Sequence, residues 1–272
     1  MPFLIFTHRQ VPIVGSKETN RDIQEHRSAL NKLYSDYDFS KNPWGYGLSY
    51  IDFTRDAVCT PIAHLLADGN VLDAGSGYGF FRRYTEGRMH IGIDLSQEIM
   101  RHDESNTKVQ SAVEYLPFSD QSIDNVVCIG VLRHCFDPTL FVTEAKRVLK
   151  PGGRLLVSTP SSDWPANLMK TPWKYLVMLS HLERLISRMF ARIVSLFSKK
   201  NTSINISDGV VYDRRYTAEQ LRELVEENFE ILEQGRSGVD FPSRLHPPKR
   251  LIQSYYDEAE LGRFLFIACR RK

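Results

Sequence analysis

Cysteine is scarce in this 272-residue chain. The four residues present, Cys59, Cys128, Cys135 and Cys269, stand far apart, with neither a Cys-x-x-Cys pair nor a Cys/His metal spacing. That excludes a disulfide scaffold and a zinc module as organising principles, and no metal site is expected; Cys128 and Cys269 fall inside apolar runs and are expected to be buried, inert thiols. Charge of one sign is missing too. Thirty-five Lys and Arg against 33 Asp and Glu leave +2, no global field for gripping nucleic acid. Nor is there an uninterrupted apolar run of about 18 residues to span a bilayer. The opening Met1–Phe6 is apolar but short and has no basic segment before it, so export is not expected and a reducing, cytoplasmic setting is. With 42% hydrophobic residues, the length suits one large α/β domain or one domain with an elaborated cap.

What is present is a rhythm. From about residue 70 to 160 short apolar runs alternate with helical patterns, the signature of βα units around a parallel sheet. The expected strands are Asn70–Ala74, Met89–Asp94, Lys108–Ala112, Ile123–Gly130 and Gly153–Thr159, followed later by Phe229–Gln234 and Arg263–Arg270. A helix over Pro138–Leu149 places Leu140, Phe141, Val142, Ala145, Val148 and Leu149 inward, with Pro151-Gly152-Gly153 as its stop. A second, Thr217–Asn228, opens on a Thr cap with Gln220 three residues on, a capping box, and turns Leu221, Leu224 and Val225 inward. The fold class is therefore α/β, a doubly wound, seven-stranded, mainly parallel sheet of Rossmann-like type. Residues 1–60 read as a helical, aromatic-rich N-terminal cap and 61–272 as the main domain, interrupted by insertions at 161–215 and 235–262.

The sharpest motif is Val71-Leu72-Asp73-Ala74-Gly75-Ser76-Gly77-Tyr78-Gly79. A buried strand ends in an acid and turns into a helix through glycines that let a ligand approach bare main chain. The spacing is G-x-G-x-G, not the G-x-G-x-x-G of dinucleotide turns, which favours a nucleoside without a pyrophosphate. Nineteen positions after Gly75, Asp94 ends the second strand, where a carboxylate can accept both hydroxyls of a ribose.

With the Gly92-Ile93-Asp94 turn, Glu114-Tyr115-Leu116-Pro117-Phe118 followed by Ser122-Ile123-Asp124, and Leu149-Lys150-Pro151-Gly152-Gly153, the chain resembles the class I S-adenosylmethionine-dependent methyltransferases, in particular the small-molecule group related to quinone and sterol methyltransferases. The resemblance implies S-adenosylmethionine as cofactor. It implies Gly75 and Gly77 against the methionine part, Asp73 facing its ammonium, Asp94 on the ribose, Leu95 packed on the adenine, and a Val113 amide at the adenine edge. Ile129 and Gly130 would line the floor beneath the methionine chain. Relatives often carry an acid where this chain has Ala112, and Glu114 is the substitute candidate for the adenine amine. Tyr37, beside Tyr34, falls where relatives place an aromatic lid, although packing within the cap explains it equally.

In-line methyl transfer asks mainly for alignment, with a base needed only when the acceptor must lose a proton. His134, in Val131-Leu132-Arg133-His134-Cys135 after the fourth strand, is the candidate base; the alternative is a hydrogen-bonded residue orienting that loop. Arg133, where relatives often have another His, can pair with an anionic substrate or simply face solvent.

From Trp173 to Lys200, apolar residues recur every three or four positions, with six basic residues from Lys174 to Lys200 against the single acid Glu183. Such a helix can lie at a membrane surface, or cover the acceptor pocket or a second subunit. The expected activity is methyl transfer to a small, apolar or amphiphilic, lipid-like acceptor at oxygen or carbon, with no nucleic acid partner. The rival is a non-catalytic methyltransferase-like module that binds a ligand or partner without turnover.

Overall fold

The structure, a computed structural model, describes residues 20–35, 58–103, 107–163, 214–237 and 264–272. Seven strands form one sheet: β1 (Val71–Ala74), β2 (His90–Asp94), β3 (Thr107–Gln110), β4 (Ile123–Ile129), β5 (Leu149–Pro160), β6 (Phe229–Ser237) and β7 (Phe264–Arg271). Their order is β3-β2-β1-β4-β5-β7-β6. The first five run parallel, while β7 lies antiparallel between β5 and β6.

All four residues of β1 are buried, as a central strand covered on both faces requires. Alternate side chains then go to opposite sides. Leu72, Ala74, Val126, Cys128, Leu155 and Val157 face the helices Pro138–Val148 and Ala218–Glu226. Val71, Val127, Leu156 and Ala268 face the helical segment 58–63, through Cys59 and Ile62, and Phe81. Asp73 lies two residues beyond Val71 on this second face, a placement that governs its chemistry below.

Both expected helices form with their caps. Asp137 accepts the amides of Thr139 and Leu140, and Pro138 occupies the first turn. Thr217 and Gln220 close the capping box in both directions, at 2.9 and 3.1 Å. Two details differ from the sequence reading. Leu140 is 39% exposed, because the inward stripe runs through Phe141, Val142, Ala145 and Val148, and a residue 100° off that stripe turns outward. Pro151-Gly152-Gly153 does not form a loop after the helix: β5 begins at Leu149 and takes all three residues into the strand. Pro151 disfavours helix at Lys150, Leu149 is already extended and pairs with Ile123, and the register shifts before Asn125 meets Arg154.

The amino edge of the sheet is stapled by side chains. Asn125, fully buried, accepts from the Ala67 amide and donates to the Ala67 and Asn70 carbonyls. Asn70 and Asp124 exchange bonds at 2.7 and 2.9 Å, and Lys150 closes on Asp124 at 2.7 Å. The four cysteines are free and buried, and burial pushes the thiols of Cys128, Cys135 and Cys269 up, as the inert reading of Cys128 and Cys269 requires. The helix Asn20–Ser35 falls within the stretch read as a cap. Tyr37, most of the proposed cap and the Trp173–Lys200 segment lie outside the described residues.

Candidate functional site

The glycine turn hooks onto the neighbouring strand. The amides of Gly75 and Ser76 both donate to the Ile93 carbonyl at 2.8 Å, which fixes the end of β1 beside the end of β2. Gly75 has φ +81°, and a Cβ there would enter the methyls of Val131, so the turn and the loop after β4 fit only without a side chain. Gly130, φ +71°, follows β4 on the other side, and among the described residues nothing lies within 4 Å of where its Cβ would stand. Glycine main chain thus stands at the carboxyl edge of the two central strands, packed on Val131 at Gly75 and open at Gly130, where ligands of open α/β sheets bind.

Asp94 ties this arrangement together. Its Oδ2 accepts the Gly77 amide at 3.0 Å and its Oδ1 the Ser96 amide at 2.9 Å. Burial raises its pKa, and the amides of Ser96 and Gly77 pull it back. A carboxylate has about four acceptor positions, so each oxygen retains capacity for a hydroxyl. The loop after β3 is tethered to the same point, with the Ser111 amide on the Asp94 carbonyl at 3.0 Å. Gly75, Gly77, Asp94, Leu95 and the Val113–Glu114 loop are thereby brought to one edge, with Ile129 at the end of β4. Glycine main chain beside a half-buried acid with spare acceptor capacity fits the donor and acceptor needs of an adenosyl group.

Asp73 is 3% exposed and lies on a different kind of ground. Its register partner is Gly92, and its Oδ2 stands 3.4 Å from His90 Nε2, an attraction longer than a good charge-assisted bond. Gly92 leaves room that the Ser76 hydroxyl and the buried Asp103 carboxylate occupy. Desolvation raises the Asp73 pKa; the hydrogen bond and charge of His90 lower it, and Asp103 raises it further. Sequence spacing does not reveal His90 or Asp103 as neighbours of Asp73; the β1–β2 register brings in His90, and the missing side chain of Gly92 admits Asp103.

His134 ends a short 3₁₀ turn, Leu132–His134, which Gly130 and Val131 separate from β4. Its loop is gripped from outside at successive main-chain groups. Arg214 donates its amide to the Arg133 carbonyl at 2.9 Å, and its guanidinium to the Cys135 and Phe136 carbonyls. Glu114, 6% exposed, accepts the Phe136 amide at 2.7 Å through Oε1. The residue expected at the adenine amine thus has a structural task on the neighbouring loop. His26 donates from Nε2 to the His134 carbonyl at 2.9 Å. His26 escaped the sequence reading, yet it stands four residues before Leu30, and both are buried on one face of the helix.

Two of the family motifs hold the scaffold. Arg147 binds the Leu116 and Phe118 carbonyls at 2.7 and 2.8 Å, while Glu144 accepts the Leu116 amide, so Leu116-Pro117-Phe118 is laced to the helix Pro138–Val148. Arg147 also holds the Glu144 carboxyl below its ordinary range. Lys150 and Asp124 do equivalent work at the opposite edge.

Comparison with known proteins agrees with this geometry. Residues 72–157 match a family model described as a methyltransferase domain. A "Probable S-adenosylmethionine-dependent methyltransferase" of Mycolicibacterium smegmatis is 37% identical over 113 residues, covering 39% of this chain and 44% of that protein. A malonyl-[acyl-carrier protein] O-methyltransferase of Erwinia pyrifoliae is 36% identical over 95 residues, 33% of this chain and 36% of that protein. The chain thus spans less than half the length of these relatives. In fold it is similar to a Thermotoga maritima SAM-dependent methyltransferase, with TM-score 0.58, 18% identity and coverage of 89% and 99% of the two chains. It is also similar to the Burkholderia thailandensis 1,6-didemethyltoxoflavin-N1-methyltransferase, with TM-score 0.53, 17% identity and coverage of 95% and 93%. Motifs, sheet order and these matches agree that residues 72–157 are similar to the methyltransferase domain of the class I S-adenosylmethionine-dependent enzymes.

Proposed function

We propose that this protein transfers a methyl group from S-adenosylmethionine to a small, apolar or amphiphilic acceptor at oxygen or carbon. The observation that carries the reading is the glycine main chain at Gly130, where among the described residues nothing fills the place of a side chain, and at Gly75 and Gly77, beside the half-buried, doubly amide-bonded Asp94. When bound, S-adenosylmethionine supplies an electrophilic methyl group on a sulfonium. In this reading Asp94 accepts the ribose hydroxyls, Asp73 attracts the ammonium, and Gly75 and Gly77 offer main chain to the methionine part. Leu95 packs on the adenine, the Val113 amide meets its edge, with Glu114 beside it, and Ile129 floors the site. Tyr37 closes over the sulfonium. His134 removes a proton from acceptors that must lose one.

The test is titration calorimetry with S-adenosylmethionine. Binding in the micromolar range is expected; no heat at millimolar ligand would overturn the enzyme reading and leave a non-catalytic module of the same fold. The acceptor class rests on the basic, apolar-faced pattern from Trp173 to Lys200. In a flotation assay at low salt the protein is expected to rise with anionic liposomes, and failure to do so removes the membrane surface as the source of the acceptor. Among the described residues no helix is long and apolar enough to cross a membrane.

A further inference from the structure

We propose that His26 is a positioning residue: its bond to the His134 carbonyl latches the helix Asn20–Ser35 across the cofactor turn and sets the loop that carries His134. The inference rests on the methyltransferase reading above, which gives the turn its ligand. His26 is 3% exposed, its Nε2 donates to His134 O at 2.9 Å across 108 positions of sequence, and its ring lies 5.8 Å from that of Phe136. The next residue, Arg27, sets its guanidinium 4.8 Å over the ring of Tyr115. Two consecutive residues of one helix therefore touch the loop after β4 and the loop after β3.

The loops after β3 and β4 meet at the Glu114–Phe136 bond, so the path of the helix is set by its other anchor, the helix Gln97–Met100 that follows β2. β1 lies between β2 and β4, so a helix that reaches from there to the loop after β4 passes the carboxyl end of β1, where the glycine turn stands. Arg27 and Tyr115 make an exposed cation–π contact, which releases easily. The His26 bond is buried, and its loss takes a donor from a main-chain carbonyl, so it is the stronger of the two ties. Both the neutral Nε2–H tautomer and the imidazolium can donate it. At the other end, Arg214 and Glu114 fix the main chain on either side of His134, and His26 supplies the hold on His134 itself.

A latch over a binding site slows entry and exit together, whereas a contact that merely stabilises the bound state changes exit alone. S-adenosylhomocysteine is the probe, followed by stopped-flow binding to the full chain, with hydrogen exchange at residues 131–136 in ligand-free protein as a readout that needs no ligand. For His26→Leu, kon and koff are both expected to rise about tenfold with Kd within about threefold, and exchange in the loop to speed up. His26→Gln keeps a donor and is expected to restore both rates and protection to within about threefold of the parent. Unchanged rates and exchange in His26→Leu overturn the latch, as does a rise in koff alone. Equal defects in the Leu and Gln variants overturn the donor role and leave a packing residue. If the unmodified protein does not bind S-adenosylhomocysteine, the methyltransferase reading fails and the nucleoside latch falls with it; the exchange data then report the His26 contact separately.

Discussion

Replacing Asp94 with Ala is expected to weaken S-adenosylmethionine binding at least ~100-fold while the protein stays folded. Two hydroxyl bonds to a charged acceptor are worth about 1.5–3 kcal/mol each, and every ~1.4 kcal/mol is a factor of ten in affinity. The substitution also releases the Gly77 and Ser96 amides, so the turn that must present its main chain to the ligand loses its inner tie. Stability suffers less than affinity, because burial already makes the ionised carboxylate costly in the free protein. Asp94→Asn, which keeps one acceptor oxygen, is expected to fall between the two. Calorimetric titration of both variants, with thermal unfolding as the control for folding, decides the matter. An Ala variant that binds within threefold of the parent would show that the ribose is held elsewhere.

The residues that sequence reading placed well are those whose role is local. Val71–Gly79 is one strand and one turn, and its glycines carry their own geometry; Asp94 follows from strand length and the next helix cap. The capping box at Thr217 and Gln220 is equally local, and it forms as read. Errors arise where a residue's environment depends on a partner far along the chain. Pro151-Gly152-Gly153 reads as a helix stop, but pairing of Leu149 with Ile123 draws the segment into β5. Glu114, read as a substitute for the acid missing at Ala112, also carries a task the sequence does not show, since the loop after β4 brings the Phe136 amide to its Oε1. His26 and His90 carry no motif at all: one is identified by a contact spanning 108 positions, the other by the β1–β2 register. The family resemblance compounds this, since it marks Leu116-Pro117-Phe118 and Lys150 as strongly as the glycines, although these hold the scaffold through Arg147 and Asp124.

Asp73 is where scaffold and site conflict, and its replacement by Asn is expected to act with opposite signs on stability and on binding. Its folded-state pKa is raised, mainly by burial. For an acid this means that the protonated form contributes stability fully present below the ordinary carboxylate value and lost as pH rises through the folded value. At pH 7.5 the ionised group is therefore a burden on the ligand-free protein, and Asp73→Asn is expected to raise Tm by several degrees, since about 1 kcal/mol moves Tm by about 2–4 °C for domains of about this size. The advantage shrinks as pH falls through the raised folded value, because protonation then neutralises the native Asp73 as well. With S-adenosylmethionine the order reverses, because the Asn side chain carries no charge to meet the ammonium. Affinity is expected to fall ~10–100-fold, and ligand at about 100 times Kd adds about 2.7 kcal/mol to the parent that the variant does not share. His90 gives the internal check: it offsets part of the burial cost, so His90→Phe is expected to destabilise the parent more than the Asp73→Asn variant, a coupling read from the four-protein cycle. Thermal melts at pH 4 and pH 7.5, with and without ligand, contain every arm of this prediction. A ligand-free Asp73→Asn protein that melts below the parent at pH 7.5 would mean that His90 and the turn amides stabilise the carboxylate more than burial penalises it, and that this acid is part of the scaffold instead of a charge held ready for the cofactor.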